Sequence, residues 1–154
     1  MRRRVRRTRK GDFELRLEPD ERDLLRALPP QMREVLTGGD DPALPRLFPV
    51  AYPDDPEQEA EYRAMVGEEL LNTRLAALDT LADSVDAERL DEEQLLAWMR
   101  AINDVRLLLG TRLEVTEDPA DHRVARDDPR APGLAVYHWL SWLQEQVVEA
   151  LAGA

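Results

Sequence analysis

The stretch Asp91–Leu113, DEEQLLAWMRAINDVRLLLGTRL, is the most apolar and most strongly periodic part of the chain. At about 100° of rotation per residue, apolar side chains cover most of its circumference. The main stripe consists of Leu95, Trp98, Met99, Ile102, Val105 and Leu109. Asp91–Gln94 has the pattern of a capped helix start, and Gly110 is expected to end the helix. A helix that is apolar on most sides is typical of the centre of a domain, so we predict that the other elements pack around it.

Two more long helices are predicted on either side of this central helix. The first begins at the capping sequence Asp55–Gln58 and the second at Pro132. Both are amphipathic, with apolar residues at helical spacing on one face. These residues are Val66, Leu70, Leu71, Leu75, Leu78 and Leu81 in the first, and Val136, Trp139, Leu140, Leu143, Val147 and Leu151 in the second.

The N-terminal part of the chain predicts two short helices and a small sheet. Pro29-Pro30 is expected to end the first short helix and Gly38-Gly39 the second. Alternating apolar and charged residues around Phe13 predict an N-terminal hairpin, and a similar alternation predicts a strand near residues 112–116. The predicted fold is therefore α+β and mostly α, with three main helices, two short N-terminal helices and a small antiparallel sheet.

Composition limits the class of protein. The 154 residues suit a segment at residues 1–10 followed by a single helix-rich domain at residues 11–154. No stretch approaches the roughly 20 apolar residues that span a bilayer, and no apolar signal segment follows the first arginines. We therefore expect a cytoplasmic protein without membrane association. Because cysteine is absent, disulfides, thiolate metal sites and thiol redox chemistry are excluded.

Positive charge is concentrated at the N-terminus. The formal charge is −11, but the first ten residues contribute seven positive charges and no negative one, so the remainder carries −18. A body with this charge repels nucleic acid, and we expect any direct DNA contact to come from the basic segment. The segment is either a disordered arm or an arginine-rich edge strand. Its charged residues are Arg2, Arg3, Arg4, Arg6, Arg7, Arg9 and Lys10.

Two arginines are predicted to face the core. Arg106 lies within the apolar stripe of the central helix, and Arg74 lies on the apolar arc of the preceding helix. An unpaired guanidinium in an apolar interior costs several kcal/mol, so each should contact a carboxylate or extend to solvent along its stem. Candidate carboxylates are Asp104, Glu61 and Glu69. The pattern fits a structural ion pair or a pocket for an anionic ligand.

No sequence pattern predicts catalysis, a cofactor or a metal. One face of the last helix carries His138, Ser141 and Glu145. They lie opposite its apolar stripe, and no oxyanion donor is predicted near them. Glu117, Asp118, Asp121 and His122 are possible ligands for a divalent cation, yet their spacing matches neither an EF-hand nor a helical histidine pair. We therefore expect a protein that is not an enzyme and needs no cofactor.

Three blocks of sequence carry a family resemblance. They are RLFPVAYPDDPEQEAEYR at residues 46–63, AWMRAINDVRLLLGTRLEVTED at residues 97–118 and AVYHWLSWLQEQVVEAL at residues 135–151. With DFELRLEPDERDLLRAL near the start, they extend over most of the chain. The sequence resembles an actinobacterial family long described as a domain of unknown function and now named as the actinomycete oxidative-stress regulator family. One lysine beside twenty arginines, typical of a GC-rich genome, agrees with such a source.

The resemblance implies a transcriptional regulator that responds to oxidants and acts with a stress sigma factor or the polymerase, with genes near those of Clp-protease adaptors. It also implies a partner or structural signature, carried here by Arg46, Tyr52, Asp55, Arg74, Asn103, Asp104, Arg106 and Arg112. Since a thiol switch requires cysteine, we expect a regulator that works through a protein partner without its own thiol switch. An accessory factor of Clp proteolysis is the alternative.

Overall fold

The computed structural model describes residues 3–39, 41–48, 50–116, 118 and 127–153. The fold is α+β and mostly helical, as the sequence predicts, with five helices and three short strands in the described part. Their order is β1 (Val5–Arg7), β2 (Phe13–Leu15), α1 (Pro19–Gly38), α2 (Leu44–Leu47), α3 (Pro56–Ser84), β3 (Arg89–Leu90), α4 (Glu92–Arg112) and α5 (Ala131–Leu151).

The predicted central helix, α4, is the centre of the fold. It packs against α3 and α5, and Leu95, Trp98 and Ala101 are fully buried on it. Trp98 Nε1 donates a hydrogen bond of 2.8 Å to Ser84 Oγ, which ties α4 to the last turn of α3. The predicted start is confirmed, since Asp91 Oδ1 accepts from the Gln94 amide at 2.7 Å. The core of the domain therefore forms around α4, as its apolar circumference indicates.

The end of α4 differs from the prediction. Gly110 does not end the helix, which continues to Arg112. Beyond it the chain turns at Glu114, whose φ is +56°, and the Val115 amide donates to the Gly110 carbonyl oxygen at 2.8 Å. The backbone amides of Glu114 and Val115 thus donate to carbonyl oxygens of the last turn of α4, so they are not available for pairing with a neighbouring strand. The predicted strand near residues 112–116 is therefore wrong.

The third strand lies elsewhere, in the connection between α3 and α4. The sheet has the order β1-β2-β3 and both pairs are antiparallel, with Val5 opposite Leu15 and Phe13 opposite Leu90. Phe13 and Leu90 are 0% and 1% exposed, so β3 contributes a core side chain although it has only two residues. So short a strand leaves no alternation to recognise in the sequence.

The prolines of α1 do not end a helix. Where the sequence predicts two short helices, α1 runs through Pro29 and Pro30 to Gly38, with Gly39 in the left-handed conformation after it. Two prolines remove two backbone donors from the helix interior, which opposes helix formation. Burial of one face compensates for this loss, because Pro29 is buried together with Leu25 and Met32 against the core. The short helix that follows is α2.

The first half of α3 extends beyond the core. The buried residues of α3 lie between Ala77 and Ser84, whereas Leu70, predicted to face the core, is 38% exposed. Arg74 lies opposite Asp104, so α3 continues about ten residues, roughly 15 Å, past the end of the antiparallel α4. Within the described residues, no helix has the length and apolar character needed to cross a membrane.

Candidate functional site

Arg74 of α3 and Asp104 of α4 form an ion pair at the centre of the candidate site. Arg74 Nη1 donates to Asp104 Oδ1, and Arg74 Nη2 donates to the carbonyl oxygen of Leu47 in α2. The guanidinium also lies over the ring of Phe48, 5.2 Å from its centroid. The predicted carboxylate partner of Arg74 is confirmed, and the side chain joins three helices.

The Arg74–Asp104 pair is incompletely satisfied. The side chain of Asp104 is 2% exposed and that of Arg74 is 26% exposed. Burial raises the pKa of Asp104 above its usual range, and the nearby guanidinium opposes this shift only in part. Asp104 Oδ2 and Arg74 Nε are buried without a hydrogen-bond partner in the described protein. A buried polar atom of this kind costs about 1–3 kcal/mol, so the pair does not reach its full stabilising effect.

Arg106 has neutral partners instead of a carboxylate. Its Nε donates to Ser141 Oγ at 2.9 Å, and its Nη1 donates to Gln144 Oε1. The guanidinium carbon lies 5.5 Å from the centroid of the Tyr137 ring. The prediction that Arg106 contacts a carboxylate is therefore wrong. The Arg106 side chain is only half-buried, so solvent and the polar side chains of Ser141 and Gln144 are sufficient to stabilise its positive charge.

Replacing Arg106 with methionine should therefore have a moderate effect. We expect the free energy of unfolding to fall by about 1 kcal/mol, the size of neutral hydrogen bonds lost from a half-buried position. Urea titration with an unchanged m-value measures this difference. A loss near ~3 kcal/mol, as for a broken buried ion pair, would mean that a carboxylate does neutralise Arg106.

Asn103 lies near Arg74, Asp104 and Arg106, where α4 meets α3 and α5. Asn103 Oδ1 accepts from Gln144 Nε2 at 3.3 Å, and the same Gln144 side chain accepts from Arg106. The structure thus brings together one half of the predicted signature: Arg74, Asn103, Asp104 and Arg106. The sequence does not predict Gln144 or Ser141 as partners of Arg106, because both lie on the polar face of the last predicted helix.

The other four signature residues lie outside this network. Arg112 Nη2 lies 2.6 Å from Asp41 Oδ2, an ion pair that ties the end of α4 to the segment before α2. Asp55 is the N-cap of α3 and accepts from the Gln58 amide at 3.1 Å. The exposed Tyr52 meets Tyr62 edge to face at 6.0 Å, and Arg46 is exposed on α2. All four residues are thus exposed, although Arg112, Asp55 and Tyr52 also make contacts within the protein.

The arginines of the N-terminal segment are engaged within the protein. Arg3 pairs with Glu149 at 3.3 Å and Arg6 with Glu14 at 2.9 Å, and Arg7 donates to two carbonyl oxygens at the end of α5. Arg9 and Lys10 are exposed in the hairpin turn, and Arg2 lies outside the described residues. Residues 5–7 are the edge strand β1. Direct DNA contact through this segment stays a prediction.

Arg4 is the most deeply buried of these arginines. It is 8% exposed, and its Nε and Nη2 lie 2.8 and 3.2 Å from the two carboxylate oxygens of Glu21 in α1. Glu21 also accepts from Trp139 Nε1 at 3.0 Å and from the Glu18 amide at 2.8 Å. Burial alone raises the pKa of Glu21, but these three donors outweigh it and lower the pKa. The cluster joins β1, α1 and α5.

Ser141 of α5 is the serine that shares a helix face with a histidine and a glutamate in the sequence. The Ser141 hydroxyl donates to the Tyr137 carbonyl oxygen at 2.9 Å and accepts from Arg106, so it has a structural role. Of the possible metal ligands, residues 117, 121 and 122 lie outside the described residues. In the ranges that the structure describes, no three histidine or acidic side chains cluster in a way suited to a metal ion.

Comparison with known proteins gives a consistent family. The family model described as "Domain of unknown function (DUF2017)" matches residues 1–151. A protein of Mycobacterium leprae (strain TN), whose name describes an oxidative stress regulator, AosR, is 36% identical over 143 residues, covering 77% of this chain and 65% of the relative. "Oxidative stress regulator AosR" of Mycobacterium tuberculosis (strain ATCC 25618 / H37Rv) is 33% identical over 132 residues, covering 74% and 60%. The chain thus spans less than two thirds of the length of these relatives. No solved structure matches it.

Proposed function

The chain belongs to the family described as a domain of unknown function (DUF2017), and on this premise we propose that it is a non-enzymatic regulator of the oxidative-stress response. It acts in the cytoplasm through a protein partner, a sigma factor or the polymerase. The observation that carries the proposal is 33–36% identity to mycobacterial proteins named for oxidative-stress regulation. The charge distribution supports a protein partner.

Charge argues against nucleic acid as the main target. Apart from its first ten residues the chain carries −18, and phosphate backbones repel such a body. Arg3, Arg4 and Arg6, three of the seven candidates for DNA contact, already pair with carboxylates. Binding DNA would require breaking these pairs or using only the exposed turn. A protein partner has no such requirement.

The proposed regulator lacks a thiol switch of its own. Reversible thiol sensing needs a cysteine thiolate that forms a sulfenic acid or a disulfide, and the sequence has no cysteine. In this proposal the oxidant signal is detected by the partner or by another protein, and the chain transmits it by binding.

Arg46 and Tyr52, two of the four exposed signature residues, are the proposed contact with the partner. Arg46 is exposed on α2, Tyr52 is 38% exposed, and the nearby Val50 is 50% exposed. Exposed aromatic and arginine side chains are the types that contribute most to protein interfaces. We therefore expect Arg46→Ala and Tyr52→Ala to weaken partner binding by about tenfold each while changing stability by less than ~0.5 kcal/mol.

Affinity capture from an actinobacterial lysate, followed by mass spectrometry and titration with the purified partner, tests this expectation. Arg9→Ala is the matched control, since Arg9 is an exposed arginine in the hairpin turn. Recovery of sigma or polymerase subunits, reduced by the signature variants but not by the control, supports the proposal. Recovery of Clp subunits instead would favour an accessory role in proteolysis. Undiminished binding by both signature variants would refute the proposed contact.

A further inference from the structure

A groove lies between α3 and α4 beside the Arg74–Asp104 pair. Its volume is about 250 Å³, and its wall is formed by Leu70, Thr73, Arg74, Arg100, Asn103 and Asp104. One water molecule takes up about 30 Å³ of liquid volume, so the groove has room for a polyatomic ligand. Two of the six side chains are cationic and one is anionic, which gives the wall a formal charge of +1 in a protein of −11.

Arg100 is the cation of this wall that the protein itself does not neutralise. It is exposed at the mouth of the groove and makes no hydrogen bond or ion pair within the described part of the chain. Most described arginines do pair with a carboxylate, for example Arg33 with Asp79 and Arg112 with Asp41. The guanidinium of Arg100 therefore has all its donors available for a ligand.

Asn103 adds a directed neutral donor. Its Oδ1 accepts from Gln144 of α5, so the carboxamide plane is fixed with the oxygen toward α5. In a planar carboxamide the nitrogen lies on the other side from the oxygen. The Nδ2 hydrogens make no hydrogen bond within the described protein, and because Asn103 lines the groove, they are available to a ligand there. This arrangement suits an acceptor held between Asn103 and Arg100.

The charge of the surroundings indicates where an anion is favoured. A neighbouring groove shares Thr73 and Arg100 but is also lined by Asp91 and Glu93, which repel anions. On the Asn103 side the only acid of the wall is Asp104, and Arg74 pairs with it. Two side chains with unused donors, Arg100 and Asn103, therefore line one groove.

We propose that the groove between α3 and α4 is a binding site for a compact oxyanion, a carboxylate or a phosphate, with Arg100 as its charge partner and Asn103 Nδ2 as a second donor. Arg74 contributes positive charge from the inner wall. Charge-assisted hydrogen bonds to a guanidinium are stronger than neutral ones, so Arg100 contributes most of the affinity. The site does not depend on the proposed regulatory role, and either can fail without the other.

Two-dimensional ¹H–¹⁵N NMR of the full chain tests the site. The side-chain amide of Asn103 and the Nε–H of Arg100 are followed while sodium phosphate, or separately sodium acetate, replaces sodium chloride at constant ionic strength. We expect saturable shifts at both groups, with a dissociation constant on the order of 1 mM for at least one anion. Saturation with one anion alone supports the site and identifies its ligand class.

Two variants separate this site from general anion attraction. Arg100→Gln removes the charge but keeps a polar side chain at an exposed position, so the fold is retained. It should weaken binding by about tenfold, measured at the Asn103 amide. Arg9→Gln, which changes another exposed arginine without a described partner, should leave the affinity unchanged. Absence of saturation with both anions overturns the proposal, and so does an equal response of the two variants.

Discussion

Replacing Arg74 with methionine is expected to lower the free energy of unfolding by about 3 kcal/mol, the effect of removing one member of a buried ion pair. The change leaves Asp104, which is 2% exposed, without its cation in an apolar environment. It also removes the hydrogen bond to the Leu47 carbonyl oxygen and the contact with the Phe48 ring. Urea unfolding measures the loss as a lower midpoint at constant m-value.

Two controls identify the buried charge as the cause. The double variant Arg74→Met/Asp104→Leu should recover most of the stability, because an apolar pair of similar volume often replaces a buried ion pair without loss. Arg112→Met breaks the pair with Asp41, in which Arg112 is 50% exposed, and should cost less than about 1 kcal/mol. A double variant as unstable as Arg74→Met would contradict this account.

The same variant should show a distinctive pH dependence. Burial already raises the pKa of Asp104, and loss of the guanidinium raises it further. A carboxyl group with a raised folded pKa contributes stability that is fully present below its unfolded pKa and is lost as pH rises through the folded pKa. The deficit of Arg74→Met relative to the parent chain should therefore be largest at neutral pH and shrink on acidification.

The sequence predicts those parts of the fold that depend on local chemistry. The start of α4 follows from Asp91 and Gln94, whose side chains bond each other's backbone amides. Predictions fail where a tertiary contact overrides the local signal. Pro29 and Pro30 oppose a helix, yet burial of Pro29 keeps α1 continuous. The alternation at residues 112–116 favours a strand, but these residues complete the end of α4.

In the candidate site too, the sequence predicts contacts that have a local signal and misses those that depend on tertiary structure. An arginine on an apolar arc requires a carboxylate or a path to solvent, and one of the three candidate carboxylates, Asp104, does pair with Arg74. The reasoning fails for Arg106, because a helical wheel shows direction but not the exposure that lets Ser141 and Gln144 suffice. Partners distant in the sequence have no local signal at all. Arg4 and Glu21, joined with Trp139, are the clearest case.

Replacing Glu21 with glutamine is the second change expected to have a large effect. The carboxylate holds Arg4, which is 8% exposed, and itself has a side chain that is only 13% exposed. Neutralising it leaves a buried guanidinium uncompensated, so we expect a loss of about 3 kcal/mol. Arg3→Gln is the matched control: its pair with Glu149 is 46% and 44% exposed and should contribute less than about 1 kcal/mol.

The result bears on the N-terminal segment as a whole, because Arg4 precedes β1 and Glu21 lies in α1. If the pair locks the segment, exchange of the Arg16 amide hydrogen, which is donated to the Arg4 carbonyl oxygen at 2.8 Å, should accelerate in Glu21→Gln but not in Arg3→Gln. Unchanged exchange would show that pairing with β2 alone holds the segment. A locked segment leaves few arginines free for DNA, in agreement with a regulator that binds a protein.

The deficit of Glu21→Gln should also shrink on acidification, like that of Arg74→Met, but here the cause is a lowered and not a raised folded pKa. The donors from Arg4, Glu18 and Trp139 lower the folded pKa of Glu21 despite its burial. The stabilisation is therefore present above the unfolded pKa of Glu21 and is lost as pH falls through the folded pKa. The parent chain should lose its advantage over Glu21→Gln across that range, since protonated Glu21 and glutamine are both neutral. Urea titrations at several pH values measure this, and a pH-independent difference would show that charge on Glu21 does not hold the cluster.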